Sequence, residues 1–166
     1  MDNAQALKVL FEIKKILDRL NIPFFLQYGT CLGIYRDGDF LPGDDDIDIG
    51  VIGFERFEEV RDEFEKCGFK RRWQGKVNHR YLAREKYGIP IDVLFYVETD
   101  KNYQCWVKDG DPYLFFPKRF NTFEKIRFKE VDFNVLHPIR EYLEWCYGDW
   151  RNKENKVSAA YNWTTK

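Results

Sequence analysis

The amino-acid sequence predicts an α+β fold in which a mixed β-sheet is flanked by helices within a single domain. The chain has 166 residues, a length typical of one domain. Segments with helical spacing of apolar residues alternate with short apolar segments rich in isoleucine, valine and phenylalanine, which favour strands. No internal repeat and no linker-like stretch interrupts this pattern, so we expect helices packed on one sheet around one core.

The first half of the chain is predicted to alternate between helices and strands. Apolar residues recur every three or four positions in residues 3–20 and again in residues 55–67, a spacing typical of amphipathic helices. Two short apolar segments, residues 23–28 and 46–52, predict strands. Between them, the Gly-Thr turn predicts the start of a short helix over residues 30–36.

The second half is predicted to consist mainly of strands and to end in a helix. The segment 89–97 is mostly apolar, which is typical of a central strand. A loop with turn signals at residues 109–112 follows it. The other predicted elements are strands around 69–73 and 77–83, a hairpin of 126–128 with 133–136, and a closing helix over 139–147.

Charge and composition limit the classes of function. The formal net charge is only −1, which argues against a dedicated nucleic-acid binder. This balance hides an asymmetry, because residues 39–65 are strongly acidic and residues 70–86 are mostly basic. An acidic segment that could bind metal, next to a basic one, suits a substrate that carries phosphates.

Cysteine usage and hydropathy indicate a cytoplasmic protein. The four cysteines form no Cys-x-x-Cys pair and there are only two histidines, so a zinc site is not expected. No run approaches 18 apolar residues, and the N-terminal segment does not have the pattern of a signal peptide. We therefore expect reduced thiols and no membrane span.

The most informative feature is a group of four aspartates within residues 44–48. In an extended strand, successive side chains point to opposite faces, so Ile47 and Ile49 would be buried while Asp46 and Asp48 share the other face. The Cα atoms of these two aspartates would be about 7 Å apart, close enough for their carboxylates to converge on divalent cations. Such charge density at the edge of a core is costly unless a metal neutralises it.

Other interpretations of the aspartates are weaker. A solvated turn is the usual role of an acidic run, but the isoleucines anchor this one in a core strand. A helix-loop-helix calcium site would need a glycine where Ile49 stands and a helix where Leu41-Pro42-Gly43 stands. A catalytic divalent-metal site is the hypothesis that the pattern favours.

A third carboxylate is expected from Asp92, which is the one acid in the apolar segment 90–95. A buried aspartate is costly unless it is paired or binds metal. The alternative is an aspartate satisfied by Arg80 or Arg84. Asp46, Asp48 and Asp92 on adjacent strands would act as catalytic residues that hold two Mg²⁺ (or Mn²⁺) ions about 3.5–4 Å apart.

Phosphate contacts are expected from the Gly-Thr turn. Backbone N–H groups at the helix start, around Gly29, and the Thr30 hydroxyl would form an anion site for donor phosphates. Taken alone, Gly-Thr before a helix is an ordinary N-cap. Its position just before the acidic strand gives it the context of a phosphoryl-transfer site.

Arginines are the remaining candidates for phosphate binding. Arg36 lies on the short helix and could reach a phosphate, although an ion pair with Asp37 or Asp39 is the alternative. Arg80 and Arg84 are four residues apart, so they would share one face of a strand and line the cleft together. The neighbouring histidine, at position 79, would then lie on the opposite face.

These motifs resemble those of a known family. Residues 28–36 (YGTCLGIYR) and 40–50 (FLPGDDDIDIG) closely resemble the signature of the LicD family. That family includes bacterial phosphocholine transferases and fukutin-type ribitol-phosphate transferases, within the nucleotidyltransferase superfamily of DNA polymerase beta. Residues 91–95 (IDVLF) resemble its third-carboxylate strand, and residues 142–151 (YLEWCYGDWR) its closing segment.

The resemblance implies a nucleotidyltransferase-type fold and a metal-dependent transferase. A CDP-activated alcohol would be the donor, and its phospho-alcohol group, such as phosphocholine, would move to a hydroxyl of a glycan or small molecule. Two departures concern the acceptor: Gly43 stands where the family usually has a bulky aromatic residue, and the chain lacks the insertions of larger members.

Two other functions stay open at this point. A nucleotidyltransferase would move NMP from an NTP to a small molecule or RNA and release pyrophosphate instead of CMP. An inactive nucleotide-binding module is the non-enzymatic alternative, which the intact set of three aspartates disfavours.

Overall fold

The computed structural model describes residues 1–72, 81–105 and 114–153, and its helices and strands alternate much as the sequence predicts. The described elements, in chain order, are α1 (Asn3–Arg19), β1 (Phe24–Leu26), α2 (Tyr28–Asp37), β2 (Ile47–Ile52), α3 (Phe57–Lys66), β3 (Lys70–Arg71), β4 (Tyr81–Lys86), β5 (Ile89–Glu98), β6 (Asn102–Cys105), β7 (Leu114–Pro117), β8 (Thr122–Phe128), β9 (Val131–His137) and α4 (Ile139–Tyr147). The loop predicted at 109–112 and the first residues of the strand predicted at 77–83 lie outside the described residues.

The central sheet is mixed, which confirms the predicted fold class. Its strands lie in the order β1-β2-β5-β4-β3, and β6 pairs with β5 and β7. The β2–β5 pair is parallel, and the other pairs are antiparallel. Parallel neighbours need a long connection between them, and α3, β3 and β4 lie in the connection between β2 and β5. Strands β6 and β7 were not predicted from the sequence.

The two faces of the β2–β5 pair differ in character. One face carries Ile47 and Ile49 of β2 with Val93 and Phe95 of β5, all fully buried. Helix α3 covers this face, since Phe57 packs edge-on against the Phe95 ring, with ring centroids 5.1 Å apart. Each fully buried aliphatic side chain of this kind contributes about 1.5–3 kcal/mol. This apolar face therefore fixes where the strands lie.

On the opposite face, an aromatic cluster begins where the polar residues end. A Cβ at Gly50 would lie 2.3 Å from the Phe25 ring, so any other residue at this position would clash with that ring. Phe25 also packs against Tyr96 and Phe116.

Helix α2 contacts β2 and α4. The hairpin β8–β9 is joined to β1 by a hydrogen bond that the Asn134 side chain donates to the Phe24 carbonyl.

A tight turn sets the register of β4 against β5. Tyr87 and Gly88 both have positive φ, 55° and 75°, as a two-residue hairpin turn of this type requires. The turn places Lys86 opposite Ile89, so that Ala83 lies opposite Asp92. Among the described residues, no helix is long and apolar enough to cross a membrane.

Candidate active site

Three aspartates converge at the start of the β2–β5 pair. Asp48 and Asp92 are direct partners in the parallel register, so their side chains leave the sheet on the same face. Asp46 is two residues before Asp48 and shares that face. One carboxylate oxygen from each of the three lies within 4.8 Å of the others. The structure thus brings together the three carboxylates that the sequence predicts, while Ile47 and Ile49 are buried on the other side.

The electrostatics of this acidic cluster, Asp46, Asp48 and Asp92, are unfavourable without a counter-charge. Burial, followed by the charges of Asp46 and Asp92, raises the pKa of Asp48 well above its ordinary value. Burial also raises the pKa values of Asp46 and Asp92. Within the described chain, Asp92 Oδ1 is buried and has no hydrogen-bond partner.

This donor set fits a hard divalent cation. Mg²⁺ and Mn²⁺ prefer carboxylate oxygens, and all three side chains supply them. A cation would compensate the mutual repulsion and satisfy the orphaned Asp92 oxygen. No sulfur or imidazole ligand contributes to the group.

A fourth carboxylate, that of Asp44, lies beside the helix start. Burial, followed by the charges of Asp46 and Asp45, raises the pKa of Asp44 to about 6. A Cβ at Gly29 would lie 2.3 Å from Asp44 Oδ2, so glycine is needed for this close approach. The predicted contact of Gly29 with phosphate stays a prediction.

The Thr30 hydroxyl contacts the strand that carries Asp48. Helix α2 begins at Tyr28, two residues earlier than expected, so Thr30 lies inside its first turn and is not the N-cap. The side chain is fully buried, and its Oγ1 accepts a hydrogen bond from the Asp48 N–H at 3.0 Å. This hydrogen bond supports the backbone of Asp48, and the predicted contact of the Thr30 hydroxyl with phosphate stays a prediction.

Arg36 forms the ion pair that was the alternative prediction. Its guanidinium lies 2.8 Å from an Asp37 carboxylate oxygen and donates to the Trp150 carbonyl at 3.1 Å. Arg36 is in the last turn of α2, whereas the Thr30 contact with Asp48 is made from the first. These contacts join α2 to the segment after α4, and the predicted phosphate contact of Arg36 is not supported.

Arg84 lies on the wrong face of the sheet for the predicted phosphate contact. It is opposite Ile91, so its side chain shares the apolar face and not that of Asp92. It is only 4% exposed and pairs with Glu65 of α3 at 3.0 Å. Side-chain alternation along β4 therefore places Arg84 on the face opposite the acidic cluster. Arg80 and the histidine at position 79 lie outside the described residues.

Sequence reasoning missed two residues next to the acidic cluster. Arg72 Nη1 lies 3.6 Å from Asp92 Oδ1, which places a cation at the cluster. The Tyr81 hydroxyl forms a hydrogen bond with the Asp92 carboxylate. The turn at Tyr87-Gly88 was a usable signal for Tyr81, because a two-residue turn fixes which β4 residues share the face of Asp92. No comparable signal was available for Arg72.

The chain has a fold similar to those of several solved structures, among them an adenylyltransferase. The lincosamide antibiotic adenylyltransferase LnuA, solved with lincomycin, aligns with a TM-score of 0.59 at 15% identity, over 82% of this chain and 83% of that one. The structure of ANT(2″)-Ia with adenylyl-2″-tobramycin aligns with a TM-score of 0.55 at 16% identity, over 85% and 76% of the two chains. The protein therefore has a nucleotidyltransferase fold.

The sequence assigns the family within that fold. Residues 21–137 match the LicD/FKTN/FKRP nucleotidyltransferase domain, and the chain belongs to this family. The human ribitol-5-phosphate transferase FKTN is 28% identical over 90% of this chain and 36% of its own length. An uncharacterized protein of Rickettsia typhi is 24% identical over 83% of this chain and 45% of its own. The chain thus spans about a third to a half of the length of these relatives.

Proposed function

We propose that the protein is an Mg²⁺- or Mn²⁺-dependent transferase that moves a phospho-alcohol group from a CDP-activated donor to a hydroxyl of a glycan or small molecule. The observation that carries the proposal is the convergence of Asp46, Asp48 and Asp92 within 4.8 Å, in a chain that belongs to the LicD family. The human relative is a ribitol-5-phosphate transferase, which supports a phospho-alcohol as the transferred group.

The acidic cluster would hold the divalent cation. When bound, such a cation supplies charge neutralisation for donor phosphates and stabilises the oxygen of the leaving group. Thr30 fixes the backbone of Asp48 through its hydrogen bond, and the β2–β5 register fixes Asp92 beside it. Preorganised ligands of this kind need no rearrangement when the donor arrives.

Arg72 is the side chain that we assign to the donor phosphates. It is 40% exposed and lies beside the cluster, so its guanidinium can turn from Asp92 towards a phosphate at the same site. A guanidinium matches phosphate oxygens in geometry and stays protonated at every working pH. In phosphoryl transfer, positioning and charge stabilisation account for most of the catalysis, and both are available here.

A nucleotidyl transfer is the second candidate, because the same carboxylates suit it. Both reactions break a phosphoanhydride bond and join the transferred phosphorus to an acceptor oxygen. In the phospho-alcohol transfer, CMP leaves with the broken bond. In the nucleotidyl transfer from an NTP, pyrophosphate leaves.

The released product distinguishes the two candidates. The protein would be incubated with Mg²⁺ and either CDP-ribitol, CDP-choline or CTP, with and without sugar acceptors, and the products followed by ³¹P NMR. We expect CMP from a CDP-alcohol, its loss in Asp48→Asn, and its retention in Asp62→Asn, which changes an exposed acid on α3. Pyrophosphate from CTP would favour the second candidate. No turnover of any donor by wild type, or equal turnover by Asp48→Asn, would contradict the proposal.

A further inference from the structure

Tyr81 lies next to the third carboxylate of the acidic cluster. Because Ala83 is opposite Asp92 in the β4–β5 ladder, Tyr81, two residues earlier, projects on the same face as Asp92. The Tyr81 hydroxyl forms a hydrogen bond with the Asp92 side chain. The tyrosine is half-buried, so this bond is partly shielded from water.

One oxygen of Asp92, Oδ1, is available to a ligand. Oδ1 is buried and has no hydrogen-bond partner in the described part of the chain. Arg72 Nη1 lies 3.6 Å from this oxygen, beyond hydrogen-bond distance. The carboxylate is thus held by a neutral donor, the Tyr81 hydroxyl, while Oδ1 keeps lone pairs that no hydrogen bond uses. An orphaned buried acceptor of this kind is costly unless a ligand satisfies it.

The tyrosine can act only as a donor in this contact. The ordinary pKa of a tyrosine phenol is about 10, so the hydroxyl is protonated at physiological pH and donates to the carboxylate. An aspartate that can rotate freely would offer either oxygen to a cation. A fixed donor on one side removes that freedom, which lowers the entropy lost on binding.

We propose that Tyr81 is a positioning residue, whose hydroxyl holds Asp92 in the orientation that presents Oδ1 to a divalent cation. The inference rests on the proposed function, since it assumes that the acidic cluster binds metal. Carboxylates that bind metals are commonly oriented by hydrogen bonds from residues outside the ligand set, and loss of such a partner costs about 10- to 100-fold in metal affinity.

The test is Tyr81→Phe, measured as Mn²⁺ affinity by calorimetry and by the electron paramagnetic resonance of free Mn²⁺. We expect binding about tenfold weaker than in wild type. Tyr87→Phe is the matched control: it lies at the turn of the same hairpin and also removes a hydroxyl that bonds a carboxylate, that of Glu12 at 3.2 Å. Its Mn²⁺ affinity is expected to equal that of wild type.

A double-mutant cycle keeps the inference testable if Tyr81→Phe changes stability as well. In the Asp92→Asn background, removal of the Tyr81 hydroxyl is expected to change Mn²⁺ affinity less than twofold, because the hydroxyl acts through Asp92. An equal loss in both backgrounds would overturn the positioning role. So would unchanged Mn²⁺ affinity in Tyr81→Phe, whatever its melting temperature.

The failure of this inference can be told apart from failure of the proposed function. If wild type binds Mn²⁺ and Asp92→Asn binds it measurably more weakly, while Tyr81→Phe binds as wild type does, only the role of Tyr81 is wrong. If wild type itself binds no Mn²⁺, the metal site and the inference are both wrong.

Discussion

The two faces of the β2–β5 strand pair differ in what holds them in place. On the apolar face, Ile47, Ile49 and Val93 are fully buried and cost nothing in desolvation of polar groups. On the acidic face, Asp48 and Asp92 lie side by side, and burial raises the pKa values of both. Alternate residues of the same two strands thus form a stabilising apolar face and a destabilising acidic face.

This difference teaches that stability and chemistry can be separated by alternation alone. Burial of the isoleucines holds the strands in register, so the carboxylates need not stabilise the fold themselves. The burial of mutually repelling charges, at a cost in stability, is typical of functional sites that bind a ligand of opposite charge. Each face should therefore respond differently to substitution.

The largest expected effect is that of Asp48→Asn on activity. Removal of one of three predicted metal ligands should lower turnover by more than about a hundredfold, because even residues outside the ligand set cost up to that factor. In metal-free buffer the same variant should melt above wild type, since a neutral amide relieves the repulsion from Asp46 and Asp92. Calorimetric melting with a chelator and a CMP-release assay measure the two responses. A fall in both would show that Asp48 is a structural residue.

Ile49→Ala should have the reverse signature. It removes a fully buried side chain from the apolar face, and such substitutions cost about 2–5 kcal/mol of unfolding free energy. Urea denaturation measures this loss directly. Below the melting transition, the folded variant should keep the Mn²⁺ affinity of wild type, because the acids face the other way. A loss of metal affinity in the fully folded variant would show that the two faces are not independent.

Substitutions of Arg72 and Arg84 compare the two faces of the sheet at residues of the same type. Arg72→Gln should lower turnover roughly 10- to 100-fold, the cost of about 1.5–3 kcal/mol for a lost hydrogen bond to a charged group. It should also tighten Mn²⁺ binding, because it removes a cation beside Asp92. Arg84→Met, on the apolar face, should leave both properties within twofold of wild type. Steady-state kinetics and Mn²⁺ titration of the two variants decide this; the opposite ranking would place Arg84 at the donor.

Thr30→Val tests how the acidic face is supported. It leaves the buried Asp48 N–H without its acceptor, and an unsatisfied buried donor costs about 1–3 kcal/mol. Thr30→Ser keeps an oxygen at this position and is the matched control. We expect lower stability and weaker Mn²⁺ binding in the valine variant only, measured by denaturation and titration. Normal stability with selectively weaker binding of the donor would support the phosphate contact that the sequence predicts.

The smallest expected effect is that of pH on the metal-free protein. The folded-state pKa of Asp44 is raised to about 6 from the ordinary 3.8, so the folded state binds this proton more tightly than the unfolded state. The stability that the protonated group contributes is fully present below about pH 4 and is lost as pH rises through about 6. Melting temperature should therefore fall by a few degrees between pH 5 and 7.5. The raised pKa values of Asp46, Asp48 and Asp92 act in the same direction, so Asp44→Asn should reduce this slope without removing it. An unchanged slope would exclude Asp44 as one of its sources.

The order of elements and the acidic cluster were predictable because they depend on local patterns. Alternation in residues 46–49 placed two carboxylates on one face, and the apolar segment around Asp92 indicated a central strand. The role of Arg84 was predicted wrongly because its face depends on the length of the turn at residues 87–88, not on its spacing from Arg80. Arg72 could not be predicted, because the ion pair with Asp92 joins residues 20 positions apart through the fold.

The direct pairing of Asp48 with Asp92 has a consequence for how chains of this kind can diverge in length. Insertion of one residue into β5 before Asp92 would rotate its carboxylate to the side of α3, and two residues would shift it along the sheet by about 7 Å. The lengths of β2 and β5 up to these aspartates should therefore be inherited unchanged. Insertions that adapt a chain to a new acceptor are expected in the connections between elements. There, an added residue does not change the face on which a catalytic side chain lies.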